Sequence, residues 1–386
     1  MAEFNPLISR LSPPPIPAVQ AWSRAYDGSL GERINLSQAV PGYPTHPDML
    51  QWLGEMAARQ EFTGYGDIEG EPELRDAYSA HVSAIYGARL TPVNIHITSG
   101  ANQAFMCLAM AAAAAGEAVA LPVPFYFNHD TTLAMLGIRT VPVPCDAGFL
   151  PDIEAVKRVA ASGIRALALV TPNNPTGAVY PPALLAEIFE ICRRNDIWLI
   201  LDETYRDFLP DGAAPHGLLD VPGWERNLAL IYSFSKSYCI PGHRLGAITA
   251  GAKMVDQVAK VMDNLQICAP RAPQAAVAKA IPALVDWRRA NKDEIGWRVA
   301  AMKDVMSRLP AWEISAIGAY FAYVRHPFRG AKSEAVAENL AREAGVVCLP
   351  GAYFGEDQDD HLRLAFANAD AKTILMLEDR LKSLSL

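Results

Sequence analysis

From about residue 95 to residue 250, short apolar runs alternate with turns and with stretches whose apolar residues recur at helical spacing. Ile95–Ile97, Ala118–Pro122, Ala166–Val170, Ile197–Leu201, Leu228–Tyr232 and Leu245–Thr249 are continuous runs and read as buried strands. Runs without a polar face suit a mostly parallel sheet covered by helices on both sides. Leu184, Ile188, Ile191 and Cys192 mark one of the crossover helices. The pattern predicts a three-layer α/β/α domain. Beyond Ala250 the chain reads as helical to about residue 310. A strand-like stretch at Gly318–Val324, a helix and a second strand at Leu362–Phe366 follow. These predict a smaller α+β domain, completed by an N-terminal arm in which Pro13–Pro17 is extended. Residues 48–280 are assigned to the large domain, and residues 1–47 with 281–386 to the small one. No internal repeat, low-complexity tract or long linker interrupts the chain.

Composition narrows the function classes. The 386 residues, 51% hydrophobic and 20% charged, describe a soluble globular protein with ample core. A net charge of -8 argues against nonspecific nucleic-acid or anionic-membrane binding, which needs clustered positive charge. The longest apolar run, Ala104–Ala115, falls short of the ~18 residues that span a bilayer. No secretory leader is expected at the N-terminus. Six scattered cysteines with no C-x-x-C pair point to a reduced, cytoplasmic protein. Eight dispersed histidines suggest structural roles and no metal site, and the acidic turn Asp357–Asp360 lacks the pattern of a calcium loop.

In open α/β sheets, ligands sit at the carboxyl ends of strands, so the polar residues after each run carry the candidate chemistry. Ser99-Gly-Ala-Asn-Gln103 opens an Ala-rich helix expected to reach Ala115. Its free N–H groups would cradle an anion, or Ser99 would simply cap it. Tyr126 could stack on a flat ligand or pack in the core. In the rigid turn Thr171–Gly177, Asn174 would hold its amide in one orientation. Asp202, at the end of a buried strand, needs a cation to meet it, or else caps the next helix; Tyr205 lies one turn on. Ser233-Phe-Ser-Lys236 and Arg244 combine two hydroxyls and a guanidinium suited to phosphate with an amine suited to a carbonyl. A polar loop with an exposed lysine is the plainer account of that stretch. Taken jointly, the set fits one ligand with an aldehyde, a phosphate and a basic ring nitrogen; pyridoxal phosphate is one.

The chain also resembles the class I/II aminotransferases, the fold-type I pyridoxal-phosphate enzymes, over nearly its whole length. The resemblance rests on Tyr65–Gly70 with Leu74-Arg75, Thr98–Ala101, Pro124–Tyr126, Pro172–Gly177, Asp202–Tyr205, Ser233–Lys236, Gly242–Arg244, Pro350–Gly355 and His361–Arg363. It implies that Lys236 forms the imine with pyridoxal 5'-phosphate and shuttles the substrate proton. Asp202 would pair with the pyridinium, Tyr205 and Asn174 would bond the ring oxygen, and Tyr126 would stack. The backbone of Gly100, Ala101 and Asn102, with Ser233, Ser235 and Arg244, is similar to the family's phosphate cup. Tyr65 resembles the tyrosine that reaches the neighbouring subunit's phosphate, which implies a homodimer with shared active sites. Arg363 resembles the arginine that grips the substrate α-carboxylate, with Asn174 and Ala39 beside it. Leu36–Tyr43 is similar to the substrate-covering segment of the kynurenine and aromatic branch, with Ala39 in place of the usual glycine. Asn102 stands where aspartate-type relatives often carry a lysine.

The reading is therefore transamination between an amino acid and a 2-oxo acid, with neutral or aromatic donors preferred. A β-lyase on the same scaffold, an aspartate-type aminotransferase and a non-catalytic pyridoxal-phosphate-binding regulatory module are the alternatives. Arg271 is expected either to recognise an anionic group or to be a surface or interface arginine.

Overall fold

Seven strands form the sheet on which the candidate site is built: β2 (Ile95–Thr98), β3 (Ala118–Pro122), β4 (Arg139–Val143), β5 (Ala166–Val170), β6 (Trp198–Asp202), β7 (Leu228–Ser233) and β8 (Gly246–Ala250). A two-residue strand, β1 (Ile34–Asn35), precedes them. The computed structural model describes residues 2–209 and 215–384. The sheet order is β2-β8-β7-β6-β5-β3-β4. β8 pairs antiparallel with both neighbours, and the other strands run in one direction. The strand pleat sends alternate side chains to opposite faces. Leu199 and Leu201 join one apolar cluster, beneath helices such as Pro182–Arg194 and Arg271–Ala283. Ile200 joins another, beneath Ala101–Ala112 and Ala252–Leu265. Both faces are thus covered, which explains why these strands lack a polar side.

The second sheet orders β12 (Leu349–Pro350), β13 (His361–Leu364), β10 (Phe321–Arg325) and β9 (Glu313–Gly318), all antiparallel. β1 pairs in parallel with β11 (Val346–Val347), so the N-terminal segment is stitched to the C-terminal part of the chain. Ile34 and Leu36 share a core with Met302, Val324, Leu340 and Leu362.

Several expectations need correction. β4 escaped the pattern because it is an edge strand with a mixed exposed and buried face, and Pro142 lies within it. The expected single strand at Gly318–Val324 is a hairpin corner, with Ala319 at φ 45° between β9 and β10. Pro13–Pro17 is not extended throughout. Pro15 starts the helix Pro15–Trp22, where a missing N–H costs nothing. The Ala-rich helix stops at Ala112, and the last strand is His361–Leu364. Among the described residues no helix is long and apolar enough to cross a membrane.

Candidate active site

The carboxyl ends of β5, β6 and β7 open into a cavity of about 500 Å³, roofed by residues 38–40 and Pro14–Pro17. Among the described residues, Lys236, Arg244 and Arg363 line it against a single carboxylate, Asp202. Three cations and one anion in one pocket of a net-acidic chain mark it as a site for anions.

Asp202 ends β6 and is 4% exposed. Its Oδ1 accepts the Thr204 amide at 2.9 Å, and its Oδ2 lies 3.4 Å from His129 Nε2. The carboxylate therefore closes an Asx turn and caps no regular helix. His129 stacks on Phe105 at 3.9 Å between ring centroids and meets Tyr126 edge-on at 5.3 Å. Tyr126 precedes the helix Phe127–Met135, and its hydroxyl accepts from Asn128 Nδ2 at 2.7 Å. Tyr205 is buried against Tyr320 and Phe321, and burial raises its hydroxyl pKa well above the ordinary value.

After β7, Ser233 caps the one-turn helix Phe234–Ser237 and accepts from the Ser235 amide at 3.3 Å. Ser235 Oγ is buried and has no partner among the described residues. Lys236 Nζ donates to Ala39 O at 2.5 Å and lies 6.0 Å from the centre of the Tyr205 ring. Burial, assisted by the charges of Arg244 and Arg363 and opposed by Asp202, pushes the lysine pKa down to about 8.

The anion cradle forms where β2 meets the helix Ala101–Ala112. Gly100 is the N-cap, at φ 87° and ψ 169°, and no side chain caps the helix, so Ser99 does not fill the role open to it. Ser99 instead donates its hydroxyl to Gln266 at 2.7 Å. Arg244 approaches from the other side, with Nη2 3.5 Å from Ser99 O, and a Cβ on Gly100 would collide with its guanidinium. Ala101 and Asn102 continue the cavity wall. Uncapped N–H groups, the Ser235 hydroxyl and the guanidinium suit a phosphate.

Arg363 supplies the second anion position. It is 2% exposed, donates to Asn174 Oδ1 at 2.9 Å and to Ser37 O, and leaves Nε unpaired. Its guanidinium carbon lies 5.2 Å from the ring centres of both Phe321 and Phe354. Among the described residues it forms no ion pair, and burial pushes its pKa down to about 10. Asn174 is held by the turn in which Asn173 Oδ1 accepts from Thr176 N and Oγ1. The cradle, the unpartnered Ser235 hydroxyl and the unpaired Arg363 Nε together fit a phosphorylated ring aldehyde with a carboxylate-bearing substrate beside it.

Twelve of the residues singled out by sequence meet in this cavity; Gly100 lies against its Arg244, and Tyr65 lies apart, 78% exposed on the loop before Pro72. Arg271 is also outside: its guanidinium engages Glu71 and neighbouring carbonyls. His129 escaped sequence reasoning, and Ser37 and Tyr43 entered it only as members of the segment Leu36–Tyr43, with no role of their own. The i,i+3 spacing of Tyr126 and His129, which puts both on one face of a helix start, was the available signal for the first. Tyr43 donates its hydroxyl to Lys236 O at 3.4 Å, a contact across 193 residues that no local pattern discloses.

Known proteins bear on this geometry. A relative from Arabidopsis thaliana, an aromatic aminotransferase, is 28% identical over 95% of this chain and 93% of its own. The valine–pyruvate aminotransferase of Mycobacterium tuberculosis is 28% identical over 93% of each. The solved structure of a Thermus thermophilus aspartate aminotransferase double mutant superposes with a TM-score of 0.91 over 100% of both chains at 23% identity. Substrate-bound BacF from Bacillus subtilis gives 0.90 at 22% identity over 99% of this chain and 98% of its own. These two establish the fold, that of fold-type I aminotransferases. The model of the family "aminotransferase class I and II" matches residues 32–381, and the chain accordingly belongs to that family and is an amino-group transferase.

Proposed function

We propose that this chain binds pyridoxal 5'-phosphate in the 500 Å³ cavity and transfers the α-amino group of an amino acid to a 2-oxo acid. The observation that carries the reading is the charge imbalance of the pocket: two separate anion positions, at Arg244 and at Arg363, with a depressed-pKa lysine lining the same pocket. When bound, the cofactor supplies an aldehyde for an amine and a ring that draws electrons from the substrate Cα. Asp202, braced by Thr204 and His129, would hold the proton on the ring nitrogen. Tyr205 and Asn174 would bond the ring oxygen, and Tyr126 would stack. Gly100, Ala101 and Asn102, with Ser233, Ser235 and Arg244, would hold the phosphate.

Arg363 orients the substrate by gripping its α-carboxylate with a planar fork that Asn174 and Ser37 already hold in place. Lys236, neutral in a useful fraction near neutral pH, takes the Cα proton and returns it. The arm residues 38–40 and Pro14–Pro17 shield this chemistry from water. Among the described residues the cavity has no cation beyond Arg363, Arg244 and Lys236, and Ile16, Val40 and Phe127 give it apolar walls. That lining supports neutral or aromatic donors over a dedicated aspartate enzyme. Ala39 would contact the substrate near its carboxylate.

The same reading divides the chain into a large domain, residues 48–280, and a small one of residues 1–47 and 281–386, and makes the protein a homodimer in which Tyr65 serves the neighbouring site. The six described cysteines are all unpaired, which supports a reducing, cytoplasmic setting. Mixing the loaded protein with single amino acids tests the reaction. A change in the cofactor's visible spectrum, reversed by a 2-oxo acid, is expected with neutral and aromatic donors and is lost in Lys236→Ala. Release of pyruvate and ammonia with no oxo acid added would assign a β-lyase instead.

A further inference from the structure

Tyr65 is the most exposed tyrosine on a loop that is nevertheless pinned at many points. Arg271, at the first turn of the helix Arg271–Ala283, sends Nε to Glu71 Oε1 at 2.6 Å and Nη2 to Glu71 Oε2 at 3.1 Å. Its Nη1 reaches Glu61 O at 2.5 Å, Gly64 O at 3.3 Å and Tyr65 O at 3.5 Å. One guanidinium thus holds both ends of the loop and the tyrosine's own carbonyl. Gln274 Oε1 accepts the Glu71 amide at 2.7 Å, and Cys268 Sγ accepts the Gly66 amide at 3.4 Å. Gly66 lies so close that a Cβ there would come within 2.6 Å of Arg271 Nε. At its far end the loop joins the sheet, where Ile97 N donates to Glu69 O at 2.8 Å. The Arg271–Glu71 pair is largely buried, with side chains 18% and 8% exposed.

A bidentate, shielded ion pair that fixes a loop presenting an exposed aromatic ring points to a contact outside this chain. We propose that Arg271 is a positioning residue: through Glu71 it clasps residues 61–71 so that Tyr65 is held out to the anion cradle of a second copy of this chain. The proposal rests on the reading of the protein as a dimeric pyridoxal-phosphate enzyme. It also accounts for the strip before the helix. Gln266 accepts from Ser99 Oγ at 2.7 Å and Gln103 Nε2 at 2.8 Å, so residues 266–274 brace the chain's own cradle and the loop offered to its partner. A lysine could not replace the arginine, because one ammonium cannot pair both carboxylate oxygens in plane and reach three carbonyls.

The test is a double-mutant cycle on cofactor affinity in the full-length dimer, read by titrating apo-protein with pyridoxal 5'-phosphate and following its absorbance. Tyr65→Phe and Arg271→Ala are each expected to weaken binding about tenfold, the scale of one lost hydrogen bond to a charged group. The double variant is expected to be no weaker than either single one, because a detached clasp and a missing hydroxyl remove the same contact. Arg271→Lys and Glu71→Gln should reproduce the loss, and sedimentation should still report a dimer. A merely structural role would lower thermal stability without producing this non-additivity. Wild-type affinity in a folded Arg271→Lys or Glu71→Gln variant overturns the proposal, as does a double variant a hundredfold weaker than wild type, which would make the two residues independent. Failure of the wild-type protein to bind pyridoxal 5'-phosphate would instead overturn the reading beneath it.

Discussion

The Lys236 amine should be reactive far below the pH at which a free lysine is. Its pKa falls from 10.5 to about 8, first because burial disfavours the ammonium and then because Arg244 and Arg363 repel it, with Asp202 opposing. At pH 7.5 roughly a quarter of such amines are neutral, against about one in a thousand at the ordinary value, a gain of a few hundredfold in nucleophile. Reductive methylation of apo-protein with formaldehyde and cyanoborohydride, followed by mass spectrometry of the Lys236 peptide, measures this. The rate should rise through a midpoint near pH 8, and Arg244→Gln should move that midpoint upward by removing a repelling charge. The same shift has a stability consequence. Below about pH 8 the ammonium is present in both folded and unfolded states, and the folded chain bears the whole penalty. Between pH 8 and 10.5 only the unfolded state keeps the proton, so this group's contribution to stability rises with pH by roughly 3 kcal/mol across the window. A midpoint at 10 or above, or a downward move in Arg244→Gln, would refute the account.

Two substitutions probe the rest of the pocket. Asp202→Asn leaves three cations unopposed and removes the partner of His129 and of any ring nitrogen; cofactor affinity should fall by the equivalent of roughly 3–5 kcal/mol, measured by equilibrium titration, and a near-normal dissociation constant would contradict the ion-pair argument. Gly100→Ala forces an L side chain into a conformation at φ 87° and against Arg244, a strain of about 1–3 kcal/mol; phosphate and cofactor binding should both weaken, and unchanged binding of inorganic phosphate to the apo-protein would rule out the cradle.

Much of this site was legible because several of its parts follow closely after strands that are apolar on both faces. Asp202, Ser233 and Asn174 end such runs or follow close on them, so a sequence that locates the strands also locates the polar groups at their tips. What stayed hidden depends on partners far along the chain. Arg271 reads from sequence as an anion-recognising, surface or interface residue, and its bond to Glu71, 200 residues earlier, has no local signal. His129 shares the general structural reading of the dispersed histidines, and nothing local shows that Asp202 is its neighbour. The β9–β10 corner was missed because Gly318-Ala-Tyr-Phe is apolar enough to read as one strand, whereas Gly177 packs against Gly318 too tightly for any side chain at either position. Edge strand β4 lacked the two-sided apolar signal altogether.

The pocket's electrostatics also explain why ligands and stability should be joined in this protein. A guanidinium as buried as Arg363, flanked by two phenyl rings and answered only by neutral oxygens, is a liability until a carboxylate arrives. Ser235 Oγ, shut away from solvent without a partner, is another, and the lowered pKa of Lys236 records a third. All three face one cavity, whereas the apolar clusters on both sides of the sheet lie away from it. The fold therefore concentrates its uncompensated polar cost where an anion can relieve it. Because such an anion binds only the folded chain, each decade of ligand concentration above the dissociation constant adds about 1.4 kcal/mol to stability.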